Sequence, residues 1–222
     1  MPEPAEPKPS ARRAAGLPGH GFVFCCFNGS RKMMQPVFEV WMRLLGKVPG
    51  SVLWLLGGNA AAERNLRREA QERGVDPARL VFAPRVGLEA HLARHALADL
   101  FLDTLPYNAH TTASDALWVG LPLVTCQGRA FAGRVAGSLL HAIGLAELIT
   151  ASLADYEALA VRLASDPAML TSIRARLAEN RNTHALFDTE RFRRHIEAAY
   201  TQMWEIFHRG EPPQSFAVEP IV

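Results

Sequence analysis

The feature that most constrains this chain is an alternation that begins at Gly21. Short apolar runs rich in β-branched and aromatic residues recur at Phe22–Phe27, Ser51–Leu56, Leu80–Phe82, Leu100–Leu102 and Leu121–Thr125, with a weaker run at Glu147–Ile149. Each run is continuously apolar rather than alternating, as strands buried on both faces of a parallel sheet are. Longer amphipathic stretches lie between them. Val37, Val40, Trp41, Leu44 and Leu45 follow helical spacing, with Pro36 suited to a first turn. Asn59 is placed to cap a helix running through Glu63–Glu72, and Gly74 to end it. Further helices are predicted over Leu88–Ala96, Thr112–Trp118 and Arg134–Ala142. Strands separated by helices of this length make βαβ units, so the predicted fold is α/β, a doubly wound parallel sheet.

After the last strand only helices are predicted: Asp155–Ala164, Ala168–Glu179 and Thr189–Phe207. The last carries an apolar stripe of Ile196, Tyr200, Met203, Trp204 and Phe207. Trp41, Trp54, Trp118 and Trp204 all read as core, and Cys25 and Cys26 as buried strand residues. Residues 1–20, rich in Pro, Ala and Glu, read as a flexible tail or linker stub, 21–210 as one lobe, and 211–222 as a C-terminal tail. A 49% hydrophobic share with 21% charged residues supports a packed core and argues against disorder.

The charges exclude other classes. Lys and Arg number 24 against 22 Asp and Glu, interspersed, so no nucleic-acid or membrane-surface footprint is expected. No apolar run approaches the ~18–20 residues of a membrane span. Three cysteines, two of them adjacent, do not make a disulfide framework and fit a reducing, cytoplasmic setting.

In doubly wound sheets, ligands bind beyond the carboxyl ends of the strands, where helix N-termini present free N–H groups. The loops that follow the strands contain no G-x-G-x-x-G and no G-x-x-x-x-G-K-[ST], which weakens a dinucleotide or P-loop reading. There is no Asp-x-Asp pair to bridge a metal to a diphosphate, no zinc spacing and no G-x-S-x-G elbow. In Asn28-Gly-Ser-Arg-Lys32, two cations follow a buried strand; Lys32 is placed to neutralise a phosphate, or is simply solvated. The segment Asp103-Thr-Leu-Pro-Tyr-Asn-Ala-His-Thr-Thr112 is denser in polar groups. Thr112-x-x-Asp115 matches a capping box, the bland reading; the functional one seats an anion at the same helix end, with His110, Thr111 and Thr112 around it. His91, alone on a helix, reads as structural from spacing alone.

The run Leu102-Asp-Thr-Leu-Pro-Tyr-Asn-Ala-His-Thr-Thr-Ala-Ser-Asp-Ala-Leu-Trp118 resembles the C-terminal catalytic region of the O-linked N-acetylglucosamine transferases, bacterial members in particular. The resemblance extends through Phe24–Asn28, Val48–Leu56, Leu121–Thr125, Phe131–Ser138 and Met203-Trp-Glu205. It implies the Rossmann-like C-terminal lobe of a two-lobed GT-B glycosyltransferase that holds UDP-N-acetylglucosamine without a metal or other cofactor and transfers the sugar, with inversion, to protein Ser/Thr. By position, it makes Lys32 the catalytic lysine at the diphosphate, and His110, Thr111 and Thr112 the phosphate-binding residues. Asp115 takes the ribose hydroxyls, His91 lies near the uracil, and the backbone around Arg85 and Val86 reads the base edge. Asn28 lies in the first donor loop, and Tyr107 lies near the N-acetyl group.

Three positions depart from the pattern: Gly29 stands where a Gln is usual, Arg129 where an acid is, and Leu88 where a lysine beside the uracil is. The first lobe, which supplies acceptor contacts and a general base, and the tetratricopeptide repeats have no counterpart in these residues. Two alternatives therefore stand beside the transferase: a non-catalytic nucleotide-binding or interaction module, and, fitting the motifs less well, a two-lobed epimerase of the same nucleotide sugar.

Overall fold

A computed structural model describes residues 9–220. The elements run α1 (Pro9–Ala14), β1 (Val23–Cys26), α2 (Gln35–Lys47), β2 (Val52–Leu56), α3 (Ala60–Glu72), β3 (Leu80–Ala83), α4 (Leu88–Arg94), β4 (Leu100–Leu102), α5 (Thr111–Trp118), β5 (Leu123–Cys126), α6 (Val135–Ala142) and β6 (Ile149–Thr150). Three helices follow: α7 (Leu153–Ser165), α8 (Pro167–Thr183) and α9 (Thr189–His208). The six strands form one parallel sheet in the order β3-β2-β1-β4-β5-β6. The predicted α/β class and doubly wound sheet are what is observed.

The chain winds outward from β1 to β3, then returns to build β4 to β6 on the other side, so β1 and β4 are neighbours at the point of reversal. Phe24 pairs with both Leu53 and Leu100 there, and Cys25 with Trp54 and Phe101. All four β1 residues are fully buried, which explains the unbroken apolar runs. The loops leaving β1 and β4 therefore emerge side by side, the arrangement that makes a binding crevice in open α/β sheets.

Beneath that crevice, a hydrogen-bonded chain ties α2 and α7 to the end of β4. The Trp41 indole N–H donates to the Tyr156 hydroxyl at 3.2 Å, which donates to the Asp103 carbonyl at 3.1 Å. All three residues are buried. Asn59 caps α3 as predicted, its side chain accepting from the Ala62 N–H at 3.1 Å.

The stretch expected to be a flexible tail is partly built into the fold. Residues 1–8 lie outside the described residues, but α1 docks through Arg12. Its guanidinium donates to the Leu97 and Gly21 carbonyls and pairs with Asp99 at 2.8 Å. A buried, fully engaged arginine anchors a short helix that composition alone read as a linker. Two of the four tryptophans expected in the core are not there. Trp118 is 51% and Trp204 61% exposed, and the whole stripe on α9 faces outward with Phe192 beside it. The face of α9 turned to the body carries His195, Ala199 and buried Ile206, so helical spacing located a stripe but not what it packs on.

Candidate functional site

The loop after β1 starts from Asn28, which is buried although polar. Its amide N–H donates to the Thr104 hydroxyl at 2.8 Å, and its carbonyl oxygen accepts from the Thr112 hydroxyl at 2.6 Å. Asn28 thus braces the loops of β1 and β4 and the start of α5 against one another. Past it, Ser30–Lys32 make a single 3-10 turn that swings Lys32 back over the sheet. The Lys32 ammonium donates to the Asn108 carbonyl at 2.8 Å and lies 4.0 Å from the centre of the Tyr107 ring. Burial lowers its pKa, with Arg31 adding to that, while Asp103 and Cys26 oppose.

The loop after β4 is organised by Asp103. One carboxylate oxygen accepts from the backbone N–H groups of Thr104 at 2.7 Å and Ala109 at 2.6 Å; the other accepts from the Thr125 hydroxyl at 2.6 Å. Thr104 donates its hydroxyl to the Tyr107 carbonyl at 2.7 Å, and the Asn108 amide donates to the Thr104 carbonyl at 2.8 Å. This buried lattice is the reason so polar a run sits against the sheet: nearly every group is paired. Burial pushes the Asp103 carboxyl up to about 7, against the three donors and Lys32.

The loop delivers the chain to α5, which opens at Thr111 with His110 at its cap position. The capping box of the bland reading is absent. No side chain caps the helix; the Thr112 hydroxyl is committed to Asn28, and the Asp115 carboxylate lies 3.9 Å from His91 Nε2. The Ala113 and Ser114 N–H groups donate to the His110 carbonyl, which leaves those of Thr111 and Thr112 without intrahelical partners at the positive end of the helix dipole, three residues beyond the Asn108 carbonyl that holds Lys32. His110 stacks on Tyr107, centroids 5.0 Å apart at 24°, and meets Phe131 edge-on at 6.3 Å.

On the other side of the crevice, α4 presents His91. Its ring lies edge-on to Phe27 at 5.5 Å and to His95 at 4.8 Å. Burial lowers the His91 pKa, with Arg94 adding to that, and burial raises that of Asp115. The Arg94 guanidinium lies 5.3 Å from the Phe27 ring and donates to the Pro84 carbonyl at 3.0 Å, which fixes the β3–α4 loop where Arg85 and Val86 stand exposed. The Arg85 side chain turns away toward Gly58, into a cavity of about 270 Å³ that Arg31, Asn59, Glu63 and Phe82 also line.

Of the residues singled out from sequence, Lys32, Tyr107 and His110 are in direct contact, Thr111 and Thr112 adjoin them, and Asp115 and His91 form a second pair. Arg85 and Val86 lie on a separate exposed loop. Asn28 is brought in as a brace with both ends of its amide occupied. Spacing missed the supports: Asp103, Thr104, Asn108, Arg94 and His95. For Asp103, Thr104 and Asn108 the one sequence signal was the density of polar residues just after a buried strand; Arg94 and His95, at the end of α4, gave none. Among the described residues, no group of three or more His, Cys, Asp or Glu side chains is placed to hold a metal ion.

A sequence model of glycosyl transferase family 41 matches residues 3–196. "Probable UDP-N-acetylglucosamine--peptide N-acetylglucosaminyltransferase SEC" of Arabidopsis thaliana is 41% identical over 204 residues, 91% of this chain and 21% of its own length. The UDP-N-acetylglucosamine--peptide N-acetylglucosaminyltransferase of Caenorhabditis elegans is 38% identical over 203 residues, 91% of this chain and 18% of its own. This chain therefore spans about a fifth of the length of these curated relatives. Among solved structures, a mutant Thermobaculum terrenum O-GlcNAc transferase superposes with a TM-score of 0.79 at 33% identity, covering 83% of this chain and 36% of that one.

Proposed function

The chain belongs to glycosyl transferase family 41, and from that premise we propose that it is the UDP-sugar-binding lobe of a protein O-glycosyltransferase. The observation that carries this reading is the convergence of Lys32 and the start of α5 where the loops of β1 and β4 meet. An ammonium and a set of free N–H groups side by side suit a diphosphate. Asp115 beside His91 suits a ribose hydroxyl next to a base, and the exposed backbone at Arg85 and Val86 suits the base edge.

In the reaction proposed, an acceptor Ser/Thr hydroxyl attacks the anomeric carbon of UDP-N-acetylglucosamine from the face opposite UDP. The new carbon–oxygen bond forms as the bond to the diphosphate breaks, and the electron pair leaves with UDP. The hydroxyl proton passes to a base outside these residues. Lys32 and the α5 N–H groups stabilise the charge growing on the leaving diphosphate, where preorganised donors lower a barrier most. In this reading the Lys32 ammonium and the start of α5 take the role that a bridging cation would otherwise fill. Three buried free cysteines suit a cytoplasmic setting, and no helix among the described residues is long and apolar enough to cross a membrane. Because the chain spans about a fifth of its relatives, transfer needs acceptor contacts and a base from elsewhere.

Calorimetric titration of the 222-residue chain with UDP and UDP-N-acetylglucosamine tests the proposal. Saturable binding of both, with no sugar transfer by the chain alone, is the expected outcome; no binding of either would overturn it. That second result would favour a non-catalytic interaction module, the reading to which Gly29 and Arg129 lend weight.

A further inference from the structure

We propose that Tyr107 is a positioning residue that seats Lys32 and His110 for the nucleotide diphosphate, rather than a contact of the sugar. The inference rests on the nucleotide-binding reading above and adds the device that aims its cation. Tyr107 is 46% exposed, so the core does not need its ring. Its surroundings are nevertheless specific. The Lys32 ammonium lies 4.0 Å from the ring centre, and the His110 ring stacks on it at 5.0 Å and 24°. One phenol therefore touches both side chains that flank the helix end.

The backbone makes the same connection. The Tyr107 carbonyl accepts the Thr104 hydroxyl at 2.7 Å, which fixes the ring's own residue; the next carbonyl, that of Asn108, accepts the Lys32 ammonium at 2.8 Å. Two consecutive residues thus offer Lys32 a carbonyl and a π face. Neither carries a full negative charge, and Asp103, the carboxylate that acts on Lys32, is buried and engaged by three other donors, so the ammonium is oriented by neutral groups and its charge stays available to an anion. A carboxylate in that position would compete with the diphosphate. The electrostatic pull of a ring quadrupole is modest at an exposed site and larger where water is excluded, which suits a lysine that must be held in place and still be shared.

The experiment uses the chain itself with the variants Tyr107→Phe, Tyr107→Leu and Lys32→Ala, each checked for an unchanged melting temperature. Phe keeps the ring and so should bind UDP within about twofold of the parent; Leu, which abolishes the cation–π contact and the stack, should weaken UDP by roughly three- to tenfold. UDP and UDP-N-acetylglucosamine should lose affinity equally. A direct readout is the NMR position of the Lys32 ε-methylene protons, shifted upfield by the ring in the parent and in Tyr107→Phe, and returned to the ordinary position in Tyr107→Leu. The proposal is overturned if Tyr107→Leu binds UDP like the parent while Lys32→Ala does not, or if the loss is confined to the sugar nucleotide. Failure of the parent to bind UDP would bring down the reading beneath it, and the methylene shift would still test the seat independently.

Discussion

His95 shows how much of this site is held by residues that never face it. Its Nδ1 donates to the His91 carbonyl at 2.7 Å, its ring lies edge-on to Phe27 at 5.0 Å and to His91, and its Nε2 is buried without a partner. Burial drives its pKa down from 6.5 to about 4. The folded protein therefore keeps it neutral where the unfolded chain would protonate it. Its contribution to stability is whole above pH 6.5 and is lost as the pH falls through that window toward 4. Chemical denaturation across this range should show the parent losing stability relative to His95→Leu; parallel curves would refute the assignment. Neither the unpaired nitrogen nor the box of Phe27, His91 and His95 was visible in sequence, because the three rings come together only when α4 packs over the end of β1.

At the scale of elements, the site depends on how loops lean on one another. The loop after β5 supports the loop after β4: the Asn108 N–H donates to the Ala132 carbonyl at 2.8 Å, and Gly128 and Gly133 are in close contact. A Cβ added at Gly133 would stand 2.8 Å from the Pro106 carbonyl, so Gly133→Ala must displace the segment that carries Tyr107 and Asn108. It should weaken UDP several-fold while leaving helix content intact; unchanged affinity would show that the loop tolerates the shift. The strand positions and those of α2, α3 and α7 were legible in sequence because burial on both faces leaves continuous apolar runs and helical spacing marks the amphipathic stretches between them; the order of the strands in the sheet was not. The same logic failed at α9, where periodicity identifies an apolar face but cannot say whether anything covers it. It failed again at Thr112 and Asp115, whose spacing matches a cap while their actual partners, Asn28 and His91, come from other parts of the chain.

For the molecule as a whole, the outward stripe of α9 departs from an ordinary surface. Phe192, Tyr200, Met203, Trp204 and Phe207 are all more than half exposed. Replacing Trp204 and Phe207 by Lys should therefore shift stability by no more than roughly 0.5 kcal/mol each, measured as an unchanged melting temperature with higher solubility; a marked loss would mean that the stripe is packed after all. The rest of the molecule is organised around the reversal between β1 and β4, where charge is scarce and local. The resemblance carried by residues 102–118 pointed there, and the structure adds Asn28 and Asp103, which brace the segment whose Tyr107 ring and Asn108 carbonyl hold Lys32. The most direct measurement of that claim is the affinity for UDP and for uridine of the parent and of Lys32→Ala. Lys32→Ala should weaken UDP about tenfold or more, as loss of a charge-assisted contact does, and leave uridine unaffected. Equal affinity of the two proteins for UDP would contradict it.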